Sequence, residues 1–161
     1  MDLLIAQLDE TGIDYELIDC DPDLADTAQF CEAYGFAMEQ SANTILVVGK
    51  SDPAVFAACL VLAHTRLDVN KVVRKRFGVK KASFASGDDT VRLTGMQIGG
   101  VTPFGLPHDL PIWIDSRVLD CPQILLGGGS RSRKVLVAPR VLIEIGAEVV
   151  EDLAKLPPPP T

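Results

Sequence analysis

The stretch GMQIGGVTPFGLPHDLPIWID, residues 95–115, places a glycine pair, a proline and a further glycine just before an apolar strand. Glycine in an ordered element costs backbone entropy, so such a cluster needs a geometric reason. The reason is either tight turns or bare backbone N–H groups that a ligand can approach closely. A second glycine cluster, GGGS at residues 127–130, also adjoins a predicted strand.

Outward from this stretch, hydrophobic patterns predict short strands and amphipathic helices in irregular alternation. The mixture of hairpins and helices favours an α+β, or mixed α/β, fold in which helices pack around a mixed sheet. We expect residues 1–156 to form one domain and residues 157–161 to be a proline-rich tail. The predicted strands are 15–19, 43–49, 54–64, 81–85, 111–115, 123–127 and the end of 130–138. The predicted helices end at Gly12, Gly35, Gly78, Gly95 and Gly146. Asp68 is expected to cap the start of the basic helical segment that ends at Gly78.

The net charge of −7 over 161 residues disfavours binding to nucleic acid unless positive charge is gathered locally. Residues 71–81 hold six basic residues and no acid, among them Lys71, Arg74 and Lys75. Arg131 and Arg133 belong to a second basic group. Both groups are candidates for contact with an RNA backbone, and the alternative is that they are merely solvated.

Several kinds of site are disfavoured by the sequence. The four cysteines have no C-x-x-C spacing, so we expect no metal site. The first ten residues, MDLLIAQLDE, lack the basic segment of a signal peptide. Apolar stretches stay short of the ~18–20 residues that a membrane span needs. We therefore expect a cytoplasmic protein without a membrane partner.

Four segments follow one another along the chain: LDVNKVVRKRFGVKKASFAS, LTGMQIGGVTPFG, LPIWIDSRVLD and ILLGGGSRS. Their order closely resembles that in the YbaK/EbsC family, the free-standing relatives of the editing domain in bacterial prolyl-tRNA synthetases. The resemblance spans about residues 15–150 and implies a mixed, barrel-like sheet flanked by helices. It also implies hydrolysis of the ester that joins a mischarged amino acid to the terminal ribose of tRNA, without cofactor or metal. The partners would be a mischarged tRNA and, as a second candidate, an aminoacyl-tRNA synthetase.

The resemblance also indicates where the site lies. Gly99 and Gly100 would place backbone amides near the ester carbonyl, and Asn43 occupies the position of a lysine that the family usually carries. Lys71, Arg74, Lys75, Arg131 and Arg133 then become candidates for contact with the tRNA backbone. The residues expected to hold the substrate are Thr27, Phe30, Val101, Thr102, Pro103, Gly105, Gly127, Gly128, Gly129, Ser130 and Lys134.

Two departures from the family pattern bear on catalysis. Asn43 offers a neutral amide, which can hydrogen-bond a substrate but balances developing negative charge less well than a lysine. Lys134 stands where the family often has an acid. We hypothesise that the positive charge has moved, so that an ammonium enters the pocket from Lys134. The alternative is that Lys134 points to solvent at the start of its strand.

Three further questions stay open at the level of sequence. Phe30 lies on the apolar stripe of its helix, so a place in the core is as good an interpretation as contact with substrate. Asp115 either caps the turn that follows it or faces the pocket, and we favour the cap. The chain could also bind an aminoacyl-tRNA or nucleoside ligand without turnover, or hydrolyse a different small ester or amide, since fold does not fix function.

Overall fold

The computed structural model describes residues 2–157, so most of the predicted proline-rich tail lies outside the described residues. The predicted helices are all present, and the glycine stops at residues 12, 35, 78 and 95 cap them in the left-handed conformation. A π-helical turn, Val69–Val73, leads into the third helix, and short 3-10 turns lie at Pro22–Leu24, Met38–Gln40 and Ser116–Asp120. The helices are α1 Leu3–Thr11, α2 Thr27–Tyr34, α3 Arg74–Phe77, α4 Gly87–Thr94 and α5 Arg140–Glu144.

Every predicted strand forms, together with three short strands that the sequence patterns did not predict, β4, β9 and β10. The strands are β1 Tyr15–Asp19, β2 Ala42–Gly49, β3 Val55–Leu62, β4 Arg66–Leu67, β5 Ala82–Phe84, β6 Ile112–Asp115, β7 Ile124–Gly127, β8 Arg133–Val137, β9 Glu148–Val150 and β10 Ala154–Lys155.

These strands form three sheets, of which the largest is mixed and the other two are antiparallel. The largest has the order β5-β2-β3-β6-β9, a second has the order β1-β8-β7, and β10 pairs with β4. The β3–β6 and β6–β9 pairs are parallel, and the other pairs are antiparallel. The α+β class with a mixed sheet is therefore confirmed. Among residues 2–157 the strands do not close into a barrel, so the barrel-like sheet is an open one.

The β2–β3 hairpin positions the rest of the molecule. It pairs Ala42 with Leu62 at one end and Gly49 with Val55 at the other, as the apolar runs on either side of KSDP predict. Side chains alternate across a strand, so β3 buries both its faces. Leu60 and Leu62 join a cluster with β7 and β8, whereas Cys59 and Val61 join a cluster with the π-helical turn. A strand covered on both faces explains why its sequence is a continuous apolar run.

The basic segment forms on the face of the hairpin away from β7. The carboxylate of Asp68 accepts a hydrogen bond from the N–H of Lys71 over 3.1 Å and so caps the π-helical turn, as predicted. Val69 and Val73 are buried beneath it. Within the described part of the chain, no helix has both the length and the apolar character required to cross a membrane.

Candidate functional site

A cavity of about 280 Å³ opens beside β2, at a gap in the pairing of that strand. On this side β2 pairs with β5 only over Val47–Gly49, and Ser41, just before β2, forms an isolated parallel bridge with Leu125 of β7. Peptide groups of alternate residues point to the same side of a strand. The carbonyl of Leu46 accepts a hydrogen bond from the N–H of Ala85, just after β5. The N–H and C=O of Thr44, two residues earlier, therefore face the gap next to β5. Asn43 and Thr44 both line the cavity.

The two glycine loops meet at the far wall of the cavity. The N–H of Gly129 donates to the carbonyl oxygen of Gly100 over 2.7 Å. A Cβ atom at Gly127 would lie 2.2 Å from the carbonyl oxygen of Val101, so a larger residue would force the loops apart. Glycine is required at this position because two backbones approach each other there. Gly99, Val101 and Gly127 line the cavity.

The backbone N–H groups of these loops are not equally available. The N–H of Gly100 donates to the carbonyl of Gln97, and that of Gly105 donates to the side chain of Gln7 on α1. The N–H groups of Gly99 and Val101 have no hydrogen-bond partner within residues 2–157. Both residues line the cavity, so these two amides are open to a ligand there.

Part of the predicted substrate-binding set lies away from this cavity. Pro103 is buried, and Gly105 packs against Leu3 of α1, so this part of the loop fastens the site to the first helix. The interpretation of the glycines as structural turns thus fits this half of the loop, whereas Gly99 and Val101 line the cavity. That the loop binds a ligand stays a prediction. The predicted residues outside the cavity lining are Gly100, Thr102, Pro103, Gly105, Gly128, Gly129 and Ser130.

Lys134 points inward and lines the cavity, so the alternative in which it points to solvent is wrong. Its Nζ donates to the carbonyl oxygen of Ala25 over 2.6 Å and to that of Gly99 over 3.2 Å. An ammonium has three donors, so one stays unused. No carboxylate among residues 2–157 forms an ion pair with it. Burial lowers the pKa of Lys134 below its ordinary value.

Helix α2 closes the cavity on the side that faces Lys134. Phe30 is fully buried, lies 5.6 Å below the Lys134 ammonium and stacks on Tyr34, so it is both a core residue and part of the cavity floor. Thr27 begins this helix and donates from its hydroxyl to the side-chain oxygen of Asn43 over 2.6 Å. The structure thus brings Thr27, Phe30, Asn43 and Lys134 together around one hollow.

Arg131 ties the mouth of the cavity together. Its guanidinium donates to the carbonyl oxygens of Pro22 and Ile98 over 3.0 and 2.9 Å, and it pairs with Asp26 at 3.3 Å. These contacts hold the first glycine loop against the segment that precedes α2. Arg131 therefore has a positioning role in the free protein, and its contact with tRNA stays a prediction.

The remaining predicted cations lie outside the cavity. Arg133 donates to the carbonyl of Gly128 and pairs with Asp2 at 2.7 Å. Arg74 donates to two backbone carbonyls of its own segment. Lys71 and Lys75 are exposed on the helical segment that precedes β5. None of these four side chains reaches the cavity wall.

The expectation that Asp115 caps the turn that follows it is wrong. Its carboxylate is fully buried and makes no capping hydrogen bond to the turn that follows. It pairs instead with Arg117 at 3.1 Å, and the same guanidinium bonds to the carbonyl of Ala154 and to Asp152. Arg117 satisfies the buried charge from two residues away, so the preferred cap is wrong and Asp115 has no place in the cavity.

Sequence reasoning missed several residues of the site. Phe84 at the end of β5 and Ile98 before the glycine pair line the cavity yet are 58% and 52% exposed. Thr44 also lines it, and its hydroxyl oxygen is buried without a hydrogen-bond partner in the described chain. The polar residues within the apolar run of β2 were the available signal, but the gap in strand pairing that exposes them is a matter of tertiary structure.

The comparisons with known proteins agree with this architecture. The chain matches YwhH, an uncharacterised protein of Bacillus subtilis, with 29% identity over 74% of each chain. EbsC of Enterococcus faecalis, a proposed Cys-tRNA(Pro)/Cys-tRNA(Cys) deacylase, is 24% identical over 71% of this chain and 68% of its own. A solved structure of a proposed trans-editing enzyme for prolyl tRNA synthetase superposes with a TM-score of 0.76 at 24% identity, over 92% of this chain and 90% of that one.

The structure of the hypothetical protein APE2540 superposes with a TM-score of 0.80 at 24% identity, over 92% of this chain and 99% of the other. These superpositions show the fold. The family model for the aminoacyl-tRNA editing domain matches residues 21–145, which include α2, β2, both glycine loops and Lys134. The match covers more than three quarters of the sequence, and the chain therefore belongs to the aminoacyl-tRNA editing domain family, as its resemblance to YbaK/EbsC proteins indicated.

Proposed function

We propose that this protein hydrolyses the ester of mischarged aminoacyl-tRNA in trans. The observation that carries the proposal is the buried ammonium of Lys134, which lies 3.2 Å from the Gly99 carbonyl oxygen on the wall of the cavity. Burial of a cation without a carboxylate partner costs folding free energy. A residue kept in the protein at that cost is a candidate for a functional group. An editing pocket uses such a charge because negative charge develops on the substrate during ester cleavage.

The reaction itself needs water and a place for the charge. A water oxygen attacks the carbonyl carbon, and the carbonyl oxygen becomes an oxyanion in a tetrahedral intermediate. The bond to the ribose oxygen then breaks, and that oxygen takes the proton that the water gives up, so amino acid and free tRNA leave. The free N–H groups of Gly99 and Val101 and the third donor of Lys134 are the groups we assign to the oxyanion. Removing one such donor typically costs about 100- to 1000-fold in rate.

In this proposal Lys134 replaces the lysine that the family usually carries on the central strand. Asn43 remains a neutral hydrogen-bonding group, oriented by Thr27 over 2.6 Å. Its amide nitrogen is then free to bind the ribose hydroxyl or the carbonyl of the substrate. Relative to the family pattern, the positive charge would lie on β8 at Lys134 rather than on β2 at position 43, and both positions line the same cavity.

The size of the cavity, about 280 Å³, suits the aminoacyl end of a tRNA with a small side chain. Such a pocket rejects a larger amino acid by contact, and the discrimination is about 1–3 kcal/mol per methylene. A chain with a net charge of −7 meets RNA poorly over most of its surface. An aminoacyl-tRNA synthetase that hands over the tRNA is therefore the second partner we propose.

The test is release of amino acid from tRNAs charged with alanine, serine, cysteine or proline. We expect turnover of at least one of the four by the wild-type chain, and a loss of at least 100-fold in the Lys134→Met variant. Absence of turnover across the whole panel by protein that is shown to be folded overturns the proposal. Binding without turnover, converted to turnover by Asn43→Lys, would establish instead that the present site holds its ligand without cleaving it.

A further inference from the structure

A second hollow of about 380 Å³ adjoins the candidate site, and Phe84 is the residue that lines both hollows. Phe84 lies at the end of β5, where it is paired with Val47 of β2. Its ring is 58% exposed, which makes it as exposed as any large apolar side chain in residues 2–157. An aromatic ring that lines two hollows can stack against a planar ligand in either of them.

The second hollow carries an unusual pair of charges. Arg66 of β4 and Lys155 of β10 are directly opposite each other in an antiparallel pair, and both line this hollow. Directly opposed like charges destabilise a sheet. Asp68 is the acid in the lining, and its carboxylate lies 3.5 Å from the Lys155 ammonium. The same carboxylate also caps the π-helical turn through Lys71, so two cations face one acid that is already shared.

More positive charge lies around the same ridge. Lys80 and Lys81 precede β5, and Lys71 follows Asn70, which lines the second hollow. A β-strand rises about 3.3 Å per residue, so Lys81 lies about 10 Å along the strand from Phe84. In a chain of net charge −7, this is a local cationic path that leads to the exposed ring. Planar groups linked by phosphates, as in single-stranded RNA, match an aromatic ring flanked by cations.

We propose that Phe84 is the stacking platform for the single-stranded 3′ end of the RNA, and that the second hollow receives the nucleotide before the terminal one. Arg66 and Lys155 then bind its phosphate, and the terminal aminoacylated ribose enters the first cavity. The inference rests on the proposed function for the identity of the ligand. It adds Phe84, Arg66 and Lys155 as residues that position that ligand, and none of these three was among the site residues predicted from the sequence.

The test measures binding without hydrolysis. The probe is a 5′-labelled, uncharged, single-stranded RNA ending in CCA, and its affinity is measured by fluorescence anisotropy at several salt concentrations. We expect Phe84→Ala to weaken binding by about 10-fold and Phe84→Trp to preserve it, because stacking depends on a flat ring. Arg66→Gln and Lys155→Gln should each reduce the slope of log affinity against log salt by about 0.7.

Two control variants make the result specific. Val149→Ala removes an exposed apolar side chain on β9, at the opposite edge of the sheet from β5, and Arg140→Gln removes an exposed cation on α5. Both should bind RNA as the wild type does. Wild-type affinity in Phe84→Ala, an unchanged salt slope in Arg66→Gln and Lys155→Gln, or no binding of the RNA by the wild type at low salt overturns the inference.

The outcomes separate this inference from the proposed function. If the variants weaken RNA binding as expected while no aminoacyl-tRNA is hydrolysed, the platform is established and the deacylase proposal fails. If the wild type hydrolyses one of the charged tRNAs but Phe84→Ala changes neither its KM nor its affinity for the probe, the deacylase stands and the platform is disproved.

Discussion

The N–H of Gly129 donates to the carbonyl oxygen of Gly100 across 2.7 Å, so one hydrogen bond joins the two glycine loops of the candidate site. The loops come from opposite sides of β6 in the sequence, and neither forms the cavity wall alone. Their contact places Gly99, Val101 and Gly127 side by side. The ammonium of Lys134 also contacts this wall, because it donates a hydrogen bond to the carbonyl oxygen of Gly99.

The contact between the loops predicts that Gly127→Ala is disruptive. The added Cβ would lie 2.2 Å from the Val101 carbonyl oxygen, so the two backbones must separate. We expect a loss of about 1–3 kcal/mol in the free energy of unfolding, as for other overpacked sites, together with a loss of turnover. Chemical denaturation and a deacylation assay on the same preparation measure both effects.

The matched control for this substitution is Gly87→Ala. A Cβ at Gly87 meets no atom within 4 Å, and the residue is the first of α4. Alanine favours a helix over glycine by up to about 1 kcal/mol, so this variant should be neutral or slightly more stable. Equal stability of the two alanine variants would contradict the close approach of the loops.

Replacement of the buried cation predicts a separation of activity from stability. Lys134→Met keeps the length of the side chain and removes the charge, so we expect kcat/KM to fall at least 100-fold. The free energy of unfolding should not fall in parallel, because methionine has no charge to desolvate in the folded state. Lys50→Met, at an exposed lysine, is the control and should leave both quantities unchanged. A Lys134→Met variant with nearly wild-type kcat/KM would remove this lysine from the mechanism.

The lowered pKa of Lys134 predicts a specific dependence on pH. Burial is the main cause of the shift from the ordinary value of 10.5. Between the folded and the unfolded pKa the unfolded chain binds more protons, so stability rises with pH through that window. The charged form is the one we assign to catalysis, so turnover should fall as pH rises through the same window.

Two comparisons check this dependence. The difference in unfolding free energy between Lys134→Met and wild type should be largest below the folded pKa and should shrink as the lysine is deprotonated. As pH is raised, turnover should decline at a pH below the pKa of an ordinary lysine, because Lys134 then loses its proton. A stability difference that is flat with pH would mean that the folded protein leaves this pKa unshifted.

The Asp115–Arg117 pair predicts a large effect remote from the cavity. Asp115 is fully buried, so Arg117→Met would leave an uncompensated carboxylate inside the protein. Breaking a buried pair from one side costs about 3 kcal/mol or more. Urea unfolding should show this loss, and the double variant with Asp115→Asn should recover part of it. A double variant that is less stable than Arg117→Met would contradict the assignment of the cost to a stranded charge.

Much of the fold could be predicted from the sequence because its signals are local. The apolar runs on either side of KSDP identified the β2–β3 hairpin, and Asp68 and Gly78 identified the ends of the basic helical segment. The short strands β4, β9 and β10 have two or three residues each, which is too few for a recognisable alternation. Their formation depends on partners that are distant in the sequence.

The class of the fold, the family and the glycines of the two loops could all be read from the sequence, since the pattern of apolar residues and the motif order are properties of the chain. Which glycines line the cavity, where the Lys134 ammonium points and that Phe84 lines two hollows depend on the tertiary structure. Strand periodicity predicts that the side chains of Lys134 and Val135 point to opposite faces of β8. Burial of the Lys134 charge depends on α2 and Gly99, which belong to distant parts of the chain. Such contacts follow from how strands pair and leave gaps, and no local pattern records them.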